Sequence, residues 1–162
     1  MASIIDKMDI LATWRHLSQY PFGKWLFSKL VGWAAPYSGS IAARIDQLEP
    51  GKCVVRIRDR HRLRNHLGSV HAIALINLGE FSSGLALYAM MPATHRGIIS
   101  AISMNYVKKA RGSITARCQL APVKWPEADQ DLVLRSELYD QSGELVASAQ
   151  VNWRVGAKRR PA

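Results

Sequence analysis

The chain has 162 residues, 48% of them apolar and 21% charged, with 22 lysines and arginines against 12 acids for a formal charge of +10. That size and mixture suit one globular domain with a sizeable core and exclude a low-complexity chain. The charge admits nucleic acid, an anionic membrane or a phosphate-bearing small molecule as partner and does not choose among them. Cys53 and Cys118 lack the spacing of a zinc or redox motif and read as reduced thiols. In the opening MASIIDKMDI, Asp6, Lys7 and Asp9 break the chain before an apolar run builds, so no signal peptide is read and a cytoplasmic location is expected.

Residues 4–35 carry helical periodicity, with Ile4, Ile5, Met8, Leu11, Trp14 and Leu17 at three-to-four spacing. Tyr20-Pro21-Phe22-Gly23 interrupts it, a second helix follows near 24–34, and Pro36 with Gly39 closes that. Trp14, Trp25 and Trp33 lie among Arg15, Lys24 and Lys29, the composition of an interfacial amphipathic helix. Packing against the chain's own domain or a partner subunit is the simpler expectation, and membrane contact stands second. From Ser40 the pattern alternates: residues 40–48 and 52–60 read as strands joined by the turn Glu49-Pro50-Gly51. Arg56, Arg58, Arg60, Arg62 and Arg64 recur with a period of two, which sets guanidiniums on one face of an extended chain. Phosphate binding uses such clustering. No aromatic residue is interleaved to stack on bases, so a solvated face is expected and no nucleic-acid partner.

Between Arg64 and Arg96 the one formal charge is Glu80, and residues 69–90 are otherwise apolar, small or weakly polar. A helix apolar on nearly every side is wrapped by other structure. The segment is long enough to span a bilayer, but Asn77, Gly79, Glu80, Ser82, Ser83 and Gly84 occupy its middle, and packing inside a domain is expected. An ionised carboxylate there is costly unless compensated. Glu80 is therefore a candidate acid–base group, its pKa raised by burial. A structural carboxylate met by backbone donors or by an Arg from residues 52–60 is the alternative.

Pro92 ends the helix, and four more alternating segments follow at 97–107, 112–121, 131–140 and 144–154. Gln141-Ser142-Gly143 is a hairpin turn and Lys108–Gly112 a basic connection. Residues 158–162 read as a solvated basic tail. The order is helices, two strands, one long buried helix and four strands: an α+β domain over 40–157 behind a helical extension at 1–39.

A largely antiparallel sheet wrapped around one long helix is the hotdog architecture, and the motifs agree with it. Asn65-x-x-Gly68-x-x-His71, with Glu80 nine residues on, resembles the N-x-x-G-x-x-H…D/E pattern of hotdog acyl-CoA thioesterases of the phenylacetate-pathway type. The segment Tyr106–Gly112 and the hairpin at Gly143 are similar to that family's, so the resemblance runs over about residues 40–155. The string RNHLGSVHAIALINLGE resembles more closely still an uncharacterised hotdog subfamily, DUF4442.

The resemblance implies acyl-CoA hydrolysis in a homodimer, the Asn/His loop of one subunit facing the acid of the other. Glu80 would be general base or nucleophile and Asn65 would orient the water or the carbonyl. The helix start at His71 and Ala72, beside Gly68, would be the oxyanion and substrate site. Ser83, and Lys108, Lys109 and Arg111 for the phosphates of coenzyme A, complete the candidates. Coenzyme A enters as part of the substrate, and no further cofactor is expected. No metal is expected either, because His61, His66 and His71, five apart, suit no single helix face. One departure matters: Ile73 stands where the pattern has the second glycine of His-Gly-Gly, which fills space used for close substrate approach but leaves the backbone donors. A hotdog that binds acyl chains or acyl-CoA without cleaving them is therefore the alternative. The acyl group, and the choice between dimer and tetramer, stay open.

Overall fold

The computed structural model describes residues 9–158. The expectations for Ile4, Ile5 and Met8 and for the tail at 159–162 lie outside the described residues. Asp9 caps the first helix, α1 (Ile10–Leu17), its carboxylate accepting from the Ala12 amide at 2.8 Å. A tight turn through Phe22, at φ 64°, leads into α2 (Gly23–Ala34), and the one-turn α3 spans Pro36–Gly39. The strands β1 (Arg44–Glu49) and β2 (Lys52–Ile57) precede the long α4 (Ala72–Tyr88), and β3 (His95–Tyr106), β4 (Ile114–Gln119), β5 (Gln130–Tyr139) and β6 (Leu145–Ala157) follow it. All six expected strands are present. The first starts at Arg44 rather than Ser40 because Ala42, at φ 47°, turns the chain out of the extended region.

The strands form one antiparallel sheet in the order β1-β2-β4-β5-β6-β3. Register shifts at Ile45/Gln47, Ile99/Ala101 and Leu138/Tyr139 add the local twist that curls a sheet. It wraps α4, whose Leu75, Leu78, Phe81, Leu85 and Leu87 are buried, each contributing about 1.5–3 kcal/mol on leaving water. The helix is also pinned by a polar contact: the Ser82 and Ser136 hydroxyls meet at 2.5 Å, both fully buried. This is the α+β hotdog arrangement that the order of elements implies.

The helix comes so close to the sheet because residue 79 lacks a side chain. A Cβ added at Gly79 would lie 2.6 Å from that of Ala149 on β6. Gly79→Ala is expected to cost about 1–3 kcal/mol through overpacking, despite alanine's better helix propensity. Urea unfolding checks this; a variant as stable as the parent would mean that α4 shifts freely on the sheet.

The edge strand β1 is covered by α2. The Ser28 hydroxyl accepts from the Ile45 amide at 2.9 Å, and Lys24 donates to the Asp46 carbonyl at 2.8 Å, which satisfies groups an edge strand otherwise leaves open. Cys53 and Cys118 stand opposite each other on β2 and β4, buried as free thiols. Burial pushes both up, Cys118 to about 12, which keeps them in the unreactive protonated form.

The arginine row is shorter than its period implies. Arg56 and Arg58 extend outward, but His61–Leu63 forms a 3₁₀ turn that ends the extended run. Arg64 instead grips Asp59 through two hydrogen bonds of 2.7 and 3.1 Å. Among the described residues no helix is long and apolar enough to cross a membrane.

Candidate functional site

The loop before α4 is built by Asn65 and Gly68. The Asn65 side-chain oxygen accepts from the Leu67 amide at 3.0 Å, the Ser69 amide at 3.2 Å and the Ser69 hydroxyl at 3.1 Å. This is the way Asn closes a turn on its own backbone. Gly68 sits at φ 69°, where an L side chain is strained even though open space surrounds it. The motif's Asn and Gly thus shape the loop. The Asn65 oxygen is committed to these bonds, while its NH₂ has no partner among the described residues.

His71 is the N-cap of α4. Its Nδ1 accepts from the Ile73 amide at 3.1 Å, and its own amide donates to the Leu63 carbonyl at 2.7 Å. One of the helix's free donors is therefore taken by the cap, while the Ala72 amide has no intrahelical acceptor by construction. Tyr106, at the end of β3, donates from its hydroxyl to the Ala72 carbonyl at 3.2 Å, and burial raises its pKa. Tyr106 fastens the helix start to β3. No spacing signals this contact, because the partners lie on different elements.

The basic turn after β3 is brought to the same place. The Val70 amide donates to the Ala110 carbonyl at 2.8 Å, and Asp59 bridges Arg64 and the Gly112 amide. The Arg64 hydrogen bonds hold the Asp59 carboxyl below its ordinary range. Lys109 and Arg111 project from this turn, exposed and without an acidic partner among the described residues. Lys108 does not join them. It is paired with Asp140 at 2.7 Å and with Glu144 across the β5–β6 hairpin.

Glu80 lies in the middle of α4. Ile73, Ile76 and Glu80 form the stripe of this helix that the sheet leaves uncovered, Ile73 being 49% exposed. The Glu80 carboxylate has no hydrogen-bond or ion-pair partner among the described residues, so an Arg from β2 does not meet it. Burial raises its pKa. An unpaired, half-buried carboxylate with a raised pKa is a stronger proton acceptor than an ordinary glutamate.

Ser83 lies one turn further along α4. It is fully buried, donates to the Glu80 carbonyl at 2.9 Å and accepts from the Trp153 indole at 3.2 Å. Those contacts anchor α4 to β6, the core-packing alternative to a substrate contact. Asn77, one turn before Glu80, is a polar group that the motifs do not single out. Its NH₂ donates to the Tyr37 carbonyl at 3.2 Å, while its buried oxygen has no partner among the described residues. The signal was a lone amide within an apolar run.

Nine residues at about 1.5 Å of rise each separate His71 from Glu80. The helix start and the acid of one chain are thus about 13 Å apart along the axis, too far to act on one carbonyl.

A family described as "Domain of unknown function (DUF4442)" matches residues 23–155. The match takes in α2 and α3 as well as the segment that carries the motifs. A structural-genomics protein, APC5556, is 30% identical with a TM-score of 0.80, over 93% of this chain and all of its own. A protein of unknown function from Pseudomonas aeruginosa, PA5026, described as a probable thioesterase, is 21% identical with a TM-score of 0.71, over 81% of this chain and 93% of its own. A thioesterase family protein from Silicibacter pomeroyi is 17% identical with a TM-score of 0.68, over 81% of this chain and 96% of its own. A comparison with curated proteins finds no match.

Proposed function

The chain belongs to the DUF4442 family and has the hotdog fold, and on that premise we propose that it is a thioester hydrolase acting on acyl-CoA as a homodimer. The observation that carries this reading is Glu80, an unpartnered carboxylate on the uncovered stripe of the central helix with a raised pKa. The thioesterase descriptions of structural neighbours from Pseudomonas aeruginosa and Silicibacter pomeroyi support the reaction class.

In this reading the Ala72 amide and the positive end of α4 hold the thioester oxygen as it gains charge. The Asn65 NH₂ orients the carbonyl or the attacking water. Glu80 of a second copy takes the water's proton while the oxygen attacks the carbonyl carbon, or its carboxylate attacks directly to give an anhydride that water then opens. The tetrahedral intermediate collapses with breakage of the C–S bond, and the thiolate leaves. Lys109 and Arg111 are the cations offered to the nucleotide phosphates.

Two features support the dimer: the gap of about 13 Å within one chain, and β3, the last strand in the sheet order, whose outer edge has no strand partner among the described residues and can pair with a second copy. The test is thiol release from a panel of short, medium, long and aromatic acyl-CoAs by the full chain. Turnover on one class is expected; silence on every member from a folded protein would overturn the hydrolase.

One observation favours a second reading. Ile73, half exposed beside the helix start, occupies space that glycine leaves to the substrate. A module that holds acyl-CoA without cleaving it would bind the panel tightly, release no thiol and be indifferent to Glu80→Gln.

A further inference from the structure

The inner face of α2 packs on the domain through Phe27, Ser28 and Val31, as a core-facing helix should. Its outer face is left uncovered by the described residues. Phe22 is 85% and Trp33 69% exposed, with Trp25, Leu26 and Leu30 between them and Tyr37 just beyond. At positions 22, 25–26, 29–30 and 33 these residues follow one helical stripe, with Lys29 set into it. An apolar stripe of this size, carried by aromatics on one element, marks a contact surface rather than scattered exposure.

The same stripe borders a cavity of about 330 Å³ between α2 and the start of the sheet. Trp25 and Trp33 form its apolar wall, and Arg44, Arg56, Arg58 and Arg60 its cationic one, with no acid in the lining. Arg44 and Arg56 share Asp46. Arg58 and Arg60 have no acidic partner among the described residues. Lys29 lies 5.8 Å from the centre of the Trp25 ring.

We propose that this face docks on an anionic phospholipid bilayer, the aromatic side chains entering the interfacial layer and the arginines binding lipid phosphates. Aromatic rings with an apolar body and a polar tip are the residues that settle at headgroup depth. Cations beside them meet the negative surface potential. The arrangement argues against a second copy as occupant. A two-fold contact pairs a patch with its own copy, and this lining has no acid to meet the arginines, so the contact would concentrate like charge, which costs association. The face lies at the β1 end of the sheet, opposite the β3 edge, so docking leaves the β3 edge free.

The test is co-sedimentation of the full chain with phosphatidylcholine vesicles, with and without phosphatidylglycerol, read together with tryptophan emission. Binding to the anionic vesicles with a blue shift is expected, weakening as salt rises. Arg58→Ala with Arg60→Ala should weaken it roughly tenfold or more. Phe22→Ser with Trp33→Ser should weaken binding and reduce the blue shift, Trp25 remaining, while circular dichroism shows the fold intact. Four results would each overturn the proposal. They are no binding at low salt, binding untouched by the aromatic pair, a fall in oligomeric state in that pair by light scattering, and RNA displacing the protein from vesicles at lower concentration than added lipid.

Discussion

Glu80→Gln is expected to lower acyl-CoA turnover by about 10²–10⁴-fold, the range for loss of a positioned proton acceptor, without unfolding the protein. Glutamine keeps the size of the side chain and removes its charge. Burial holds the Glu80 carboxyl above the ordinary glutamate value, so the folded protein binds that proton more tightly than the unfolded chain. The stability this linkage contributes is fully present below the unfolded pKa and is lost as pH rises through the folded one. At neutral pH the ionised carboxylate on α4 is therefore a burden that glutamine relieves. The variant should melt at or above the wild-type temperature at pH 7, and its advantage should shrink as the pH falls towards 4. Loss of turnover without loss of stability separates chemistry from packing. Wild-type turnover should fall as acid protonates Glu80, with a midpoint nearer neutrality than the value of about 4.3 for a free glutamate. Full activity in the glutamine variant would remove Glu80 from the mechanism.

The second large effect is complementation. If the helix start of one chain works with the acid of another, Glu80→Ala and Asn65→Ala damage opposite halves of each site. Each variant alone should be inactive. Asn65→Ala acts by releasing the Leu67 and Ser69 amides that its oxygen holds, which loosens the loop before Ala72. Mixed in equal amounts after dissociation and reassociation, half of the dimers are mixed, and each of those carries one intact site of two. About one quarter of wild-type activity should return, as random assortment in a two-fold dimer requires. Activity that stays at zero while light scattering shows mixed dimers would mean that each site is built from one chain.

The central helix and the strands around it are legible in the sequence because their cause is local. A run of residues with no charge but Glu80, flanked by alternating segments, has few ways to bury itself other than inside a curled sheet. The N-x-x-G-x-x-H spacing is legible for a similar reason: an Asn that closes a turn on its own backbone, a Gly that accepts positive φ and a His that caps the next helix are short-range requirements. Even the 13 Å between helix start and acid follows from residue count alone.

Contacts between distant segments decided the remainder. Lys108 and Lys109 are equivalent as letters, yet the β5–β6 hairpin brings Asp140 and Glu144 to the first and leaves the second without an acidic partner among the described residues. Ser83 looks like a neighbour of Glu80 on the helix, but the curl of the sheet delivers the Trp153 indole to its hydroxyl and turns it into a fastening. The apolar and basic residues of α2 fit a core-facing helix and an interfacial one equally well by composition. Only its seating on the free edge of β1 determines which face is buried, and it leaves Phe22 and Trp33 facing outward beside the arginines. Periodicity reports how a segment is patterned, but which side meets the protein depends on where the sheet ends.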